Sequence, residues 1–280
     1  MNTVHIHEAG RPDGPPLLLT TGLGGAWFDW QPVAELLRDD YRIVAFDRPG
    51  LGRSPAGRSA PSLRAETALL ESLAERAGEP VFVLAHSVAA FHAEALARIR
   101  PDLLAGLVLL DPSCEHDTSG LRMSAAVTPA ARLVGKLAAA TGLAKVLGPW
   151  AYRRVLRGIS TRGPAVPRSV VRSVYGRGDV IGTVLAEYVA YREMAADLAA
   201  LRTRRPFPAI PLVVLTALGD LDTSAEARSW AACHARLAGM SPHGRQVELP
   251  GCLHMIQLDR PNAVADAVAV VTGRENRSVS

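Results

Sequence analysis

Apolar positions along this chain fall into two periods. Short, nearly continuous apolar runs stand at Leu17–Thr21, Arg42–Phe46, Val81–Ala85, Leu107–Leu110, Leu212–Thr216 and Gln246–Leu249. Runs of this length between turn residues predict β-strands, and the almost wholly apolar Val81–Ala85 and Leu107–Leu110 predict strands buried on both faces. A short alternating run at Val4–His7 predicts an edge strand. Helical periodicity covers Leu63–Ala77, Val88–Arg100, Ala225–Leu237 and Ala263–Val271. Thr223-Ser224-Ala225-Glu226 has the form of a capping box at the start of the third of these helices. Strands alternating with helices predict an α/β fold: a mostly parallel central sheet with helices on both faces.

The alternation breaks between Ser113 and Arg205, where helical periodicity, Gly and Pro breaks and no convincing strand are found. The two prolines of Arg204-Arg205-Pro206-Phe207-Pro208 stop a helix and favour extended chain. We therefore expect a core of residues 1–112 and 206–280, with a helical lid inserted at 113–205.

One strand–turn–helix carries candidate chemistry. Val81–Ala85 runs into Ala85-His86-Ser87-Val88-Ala89 and then into a predicted helix, with serine at the apex. A sharp turn there presents the hydroxyl at the carboxyl end of the sheet. Small residues are needed two before and two after the serine, because strand and helix crowd each other. Both are alanine here, where glycine is usual.

With this turn on the page, the chain resembles the α/β-hydrolase fold superfamily. Leu18-Leu19-Thr20-Thr21-Gly22-Leu23-Gly24-Gly25 is similar to that family's strand followed by H-G-x-G-G, with Thr21 in place of histidine. Phe46-Asp47-Arg48-Pro49-Gly50-Leu51-Gly52-Arg53-Ser54 is similar to its D-x-P-G-x-G-x-S loop, and Gly251-Cys252-Leu253-His254 to its C-terminal G-x-x-H. The resemblance covers roughly residues 16–112 and 207–270; the inserted lid matches nothing we would name.

The resemblance implies a serine nucleophile at Ser87, a histidine base at His254, and an oxyanion hole built from the backbone N–H groups of Leu23 and Val88. Two placements are open for the acid. Asp220 falls in the usual acid column after Pro211–Leu218, with Asp222 beside it, and is favoured. Some members, haloalkane dehalogenases and zearalenone lactonases among them, instead carry the acid at the end of the strand after the nucleophile, which here is Asp111. The serine argues against dehalogenase chemistry, where an aspartate is implied at this position. His86 reads as structural, as does the Asp47–Ser54 loop. Trp27, Phe28 and Trp30 line the pocket or, the commoner role, pack the adjacent helix. His5, His7, His92, His116, His234 and His243 show no ligand spacing and are given no role. Glu115-His116-Asp117 is a poor metal site because adjacent residues rarely converge on one ion. No metal and no cofactor are expected.

Composition narrows this further. At 280 residues, with 48% hydrophobic and 21% charged, the chain suits one large domain and excludes a disordered tail, a collagen-like fibre and a disulfide-stapled mini-protein. Cys114, Cys233 and Cys252 are odd in number and widely spaced, suggesting neither a metal knuckle nor a disulfide framework; a cytoplasmic location is expected. The first residues lack the pattern of a signal peptide, and no apolar run reaches the ~18 residues of a membrane span. Net charge is +4, but Ser113–Arg205 holds 15 basic and 6 acidic residues against 16 and 21 elsewhere. That excess either steers an anionic small-molecule substrate or forms a solvated helical surface. No nucleic-acid motif is present. The leading expectation is hydrolysis of an ester, lactone or thioester. C–C bond hydrolysis, lyase, cyclase or cofactor-free oxygenase chemistry and a non-enzymatic small-molecule receptor are the alternatives, because fold does not fix reaction. Oligomeric state is not legible.

Overall fold

The computed structural model describes residues 4–115, 122–219, 221 and 223–274. Seven strands form one sheet: β1 (Ile6–Gly10), β2 (Pro16–Thr20), β3 (Arg42–Phe46), β4 (Val81–His86), β5 (Leu104–Leu110), β6 (Leu212–Ala217) and β7 (Gly244–Leu249). Their order is β1-β3-β2-β4-β5-β6-β7; β1 runs antiparallel to β3 and every other pair is parallel. The edge strand lies slightly later than the Val4–His7 run predicted, because its register is set by pairing Ile6 with Phe46 and Gly10 with Arg42.

Alternation along the strands divides the core into two layers. Leu17, Leu19, Ile43, Leu84, Val108, Leu110, Val213 and Leu215 face one way, onto α1 (Gln31–Leu37) and α10 (Pro261–Thr272). Leu18, Val83, Ala85, Leu107, Leu109 and Val214 face the other, onto α2 (Leu63–Ala77), α3 (Ala89–Ile99) and α8 (Ser224–Ala238). This is why the central strands are apolar except near their carboxyl ends, where Thr20, His86 and Thr216 stand. The capping box at Thr223 forms: its hydroxyl accepts from Glu226 N–H at 3.1 Å, and Glu226 accepts from Thr223 N–H at 2.9 Å.

Among the described residues four helices stand between β5 and β6: α4 (Ser124–Ala140), α5 (Ala144–Ile159), α6 (Arg168–Tyr175) and α7 (Gly178–Arg202). A short α9 (Ile256–Asp259) follows β7. Among the described residues no helix is long and apolar enough to cross a membrane.

The cysteine reading needs correction. Cys114 and Cys233 form a disulfide, their Cα atoms 6.5 Å apart. Sequence spacing is a poor guide here because bridging depends on Cα separation and direction in the fold. Cys114 follows the end of β5, and Cys233 faces it from α8.

Candidate active site

Two residues other than glycine adopt positive φ among the described residues: Ser87 at 56° and Asp111 at 41°. Each is costly, on the order of 1–3 kcal/mol, and such strain concentrates at functional sites. Both stand at the carboxyl ends of neighbouring strands, β4 and β5. Ser87 N–H donates to Leu110 C=O at 3.0 Å, Ser113 N–H to Ser87 C=O at 3.3 Å, and Asp111 N–H to Leu215 C=O at 2.8 Å. The sheet's own hydrogen bonds thus hold the two turns against each other. Ala85 and Ala89 are completely buried, which explains small residues on either side of the serine.

His254 follows β7. Its Nδ1–H donates to Asp111 Oδ2 at 2.6 Å, which leaves Nε2 of the neutral ring free to accept a proton. Asp111 Oδ1 accepts from Trp230 Nε1–H at 2.8 Å and from Ala217 N–H at 3.0 Å. Burial alone would push this carboxyl up. The hydrogen bond and charge of His254, with Trp230, reverse that and hold it below the ordinary carboxylate range. His234 Nε2–H donates to Pro112 C=O at 2.9 Å, and its Nδ1 accepts from the Thr216 hydroxyl at 2.9 Å. Residues 230, 233 and 234 form one face of α8, and all three bond to segment 111–114.

His86 lies behind the base. Its Nε2–H donates to His254 C=O at 3.0 Å. Burial, then the neighbouring charge of His254, pulls its pKa down to about 3, so it stays neutral and holds the His254 loop.

Ser87 and His254 line one cavity of about 250 Å³. Gly22, Leu23, Gly24 and Gly25 form one wall; Val155, Leu156, Ile159 and Met255 give it apolar character. A Cβ at Gly22 would come within 2.9 Å of His86 and 3.0 Å of Ser87 Cβ, so the loop can cross the nucleophile only as glycine. Asp29, Tyr152 and Tyr175 complete the wall. Tyr152 donates to Asp29 Oδ1 at 3.2 Å, and burial raises the Asp29 pKa to about 7.

Of the sequence-predicted residues, Ser87, His254, Leu23 and Asp111 thus come together, with Val88 directly after the nucleophile. Asp220 and Asp222 lie outside the described residues, as do His116 and Asp117. Among the described residues, the carboxylate in contact with His254 is Asp111. Phe28 and Trp30 are buried as packing; Phe28 stands edge-on to Tyr152 and Tyr175. In the Asp47–Ser54 loop, Asp47 accepts from Trp27 N–H at 2.8 Å and Arg53 N–H at 2.9 Å, a structural role. None of the basic residues of the inserted helices lines the cavity. Among the described residues no cluster of three or more histidine, cysteine or carboxylate side chains could hold a metal ion. Trp230, Asp29 and Tyr152 carry no motif, so nothing in the sequence around them marks them for this site.

A family model described as the alpha/beta hydrolase family matches residues 17–267. The chain belongs to this family. RutD of Stutzerimonas stutzeri strain A1501, provisionally named a carbamate hydrolase, is 36% identical over 107 residues, 37% of this chain and 40% of that protein. Lipase LipV of Mycobacterium tuberculosis is 38% identical over 122 residues, 42% of this chain and 45% of the lipase. The chain spans 40–45% of the length of such curated relatives. The enol-lactonase from Burkholderia xenovorans LB400 superposes with a TM-score of 0.68 at 20% identity, covering 97% of this chain and 96% of that one. That likeness is one of fold.

Proposed function

We propose that this alpha/beta hydrolase is a serine hydrolase of carboxylic esters, lactones or thioesters, acting through an acyl-enzyme on Ser87. The observation that supports the reading is the 2.6 Å contact of His254 with Asp111, beside a serine held at positive φ on the same cavity. Ser87 Oγ attacks the carbonyl carbon while His254 Nε2 takes its proton. Asp111 stabilises the imidazolium and fixes the tautomer. The N–H groups of Leu23 and Val88 receive the oxyanion; loss of one such donor typically costs ~3–4 kcal/mol. His254 then protonates the leaving oxygen or sulfur, and water activated by the same histidine clears the acyl group.

In this reading Asp111 is the orienting acid in preference to Asp220. Residues 113–205 serve as the lid, since α5 and α6 supply Tyr152, Val155, Leu156 and Tyr175 to the cavity wall. The substrate is a small molecule. With no arginine or lysine on the cavity wall, neutral acyl groups are favoured over the anionic ones that the basic excess of residues 113–205 suggests. The names of RutD and LipV bring carbamates and longer-chain esters into the same screen, because both present an acyl carbon to the same nucleophile. A cytoplasmic location belongs to the proposal, and the Cys114–Cys233 bridge makes it testable, because disulfides are rare in a reducing compartment: a bridge that resists alkylation in intact cells would count against that location.

The test is turnover of neutral p-nitrophenyl esters with fluorophosphonate labelling. One adduct on Ser87 is expected, with Ser87→Ala losing on the order of 10³-fold or more in kcat and keeping its melting temperature. Full labelling of that variant would refute the assignment. Matched anionic esters should give lower kcat/KM.

A further inference from the structure

The inserted helix α7 reaches the loop proposed to hold the oxyanion. Glu187, on that helix, is 4% exposed; Arg48, in the Asp47–Ser54 loop, is 1% exposed. Arg48 Nη2 donates to Glu187 Oε1 at 2.8 Å and Nε to the same oxygen at 3.1 Å. Nη2 also donates to Gly22 C=O at 2.9 Å, and Nη1 donates to Thr21 C=O. The second oxygen of Glu187 accepts Gly24 N–H at 3.0 Å. One buried ion pair therefore grips the glycine loop at three positions, 21, 22 and 24, on both sides of Leu23. Packing allows no slack: a Cβ at Gly50 would sit 2.2 Å from Thr183 Oγ1, and one at Gly24 3.0 Å from Val184.

The consequence follows from peptide geometry. Gly22 C=O and Leu23 N–H belong to one planar trans unit and point in opposite directions. Fixing the carbonyl on a guanidinium aims the Leu23 N–H away from Arg48. Gly22 and Leu23 both line the cavity with Ser87. Gly24 N–H, one residue on, is occupied by Glu187, and Gly25 N–H donates to Gly22 C=O at 3.1 Å.

We infer that Glu187 and Arg48 are positioning residues for the oxyanion hole, so that the catalytic donor is set only while α7 is seated. The inference rests on the acyl-transfer reading above. It makes the inserted helices part of the transition-state machinery as well as a cover over the pocket. A preorganised donor is effective because it needs no reorganisation as charge develops.

The experiment uses Glu187→Gln in the full chain. Removing the Glu187 charge removes one of the causes that raise the Glu66 pKa, so Glu66, with Oε2 3.9 Å from Arg48 Nε, ionises more readily and supplies the counter-charge, and the variant should fold. Hydrogen exchange of segment 21–26 should accelerate at least ~10-fold with the sheet unchanged. On a p-nitrophenyl ester, kcat should fall ~10-fold with KM within about twofold, and affinity for a boronic acid forming a tetrahedral adduct should fall by the same factor, a partial version of losing a donor outright. Unchanged exchange and unchanged kcat in folded Glu187→Gln would overturn the inference, as would a loss confined to KM. If that variant does not fold, Arg48→Lys keeps the charge and loses the fork, and the same readings apply. Absence of wild-type turnover and of a Ser87 adduct would refute acyl transfer itself, while exchange in segment 21–26 would still decide whether the pair holds the loop.

Discussion

At the scale of single residues, the acid separates what the chain announces from what only packing reveals. Ser87 and His254 are legible because each sits in a local pattern. Asp111 and Asp220 both end strand-like runs, and nothing in either neighbourhood says which end faces the histidine. The proposal for Asp111 rests on α8, more than a hundred residues further on, whose Trp230 donates to one Asp111 carboxylate oxygen while His254 donates to the other. Asp111→Asn should therefore collapse kcat; the equivalent change in serine proteases costs ~10⁴-fold, because an amide holds the imidazole in the wrong tautomer. Asp220→Asn should stay near wild type, and the reverse pattern would return the role to Asp220. Trp230→Phe keeps the ring and removes the N–H, so kcat should fall roughly 10-fold with KM unchanged. In the Asp111→Asn background the same change should cost little more, since groups acting as a unit are not additive. Full additivity of the two losses would show that Trp230 works elsewhere.

At the scale of elements, the central strands and the longer core helices are legible where period and burial agree, while α1, too short to show a period, and the starts of β1, β5 and β7 are not. β4 and α2 are buried where their sequences are apolar, and α8 starts where its capping box stands. What was not legible is contact between elements distant in sequence. The Cys114–Cys233 bridge is the clearest case: the cysteines are 119 positions apart in sequence, with helices α4 to α7 between them. The bridge anchors the chain three residues after Asp111 to the helix face that carries Trp230 and His234. Closing a loop of that length stabilises by up to ~5 kcal/mol in the chain-entropy model, with native strain subtracting from it. Reduction should lower the melting temperature by roughly 5–15 °C, at ~2–4 °C per kcal/mol for a chain of this size. Cys114→Ala with Cys233→Ala should reproduce that fall and then show no response to reductant. A wild-type melt indifferent to reductant would mean the bridge is open in solution.

At the scale of the whole molecule, buried titratable groups give stability two opposing dependences on pH. His86 is pulled down to about 3 and His92 and His234 are lowered, each by burial first; their contributions are present above the ordinary histidine range and lost as pH falls through their depressed values. Asp29 and Glu66 move the other way, both raised to about 7 by burial. The folded state then holds protons that the unfolded chain has released, so their contribution is complete below the ordinary carboxylate value and disappears as pH rises through 7. Glu66 isolates the second effect. Arg48 lowers its pKa and Glu187 raises it, and once Glu66 ionises the buried cluster holds two carboxylates against one guanidinium. Glu66→Gln removes the titration and leaves Arg48 paired one-to-one with Glu187. At pH 5 a protonated Glu66 and a glutamine are nearly equivalent, so the two proteins should melt together. At pH 8 the wild type carries the uncompensated charge and the variant does not, so the variant should melt higher by several degrees. Thermal denaturation at the two pH values measures this directly. A variant less stable at pH 8 than at pH 5, relative to wild type, would show that Glu66 is ionised and favourably paired in the folded state.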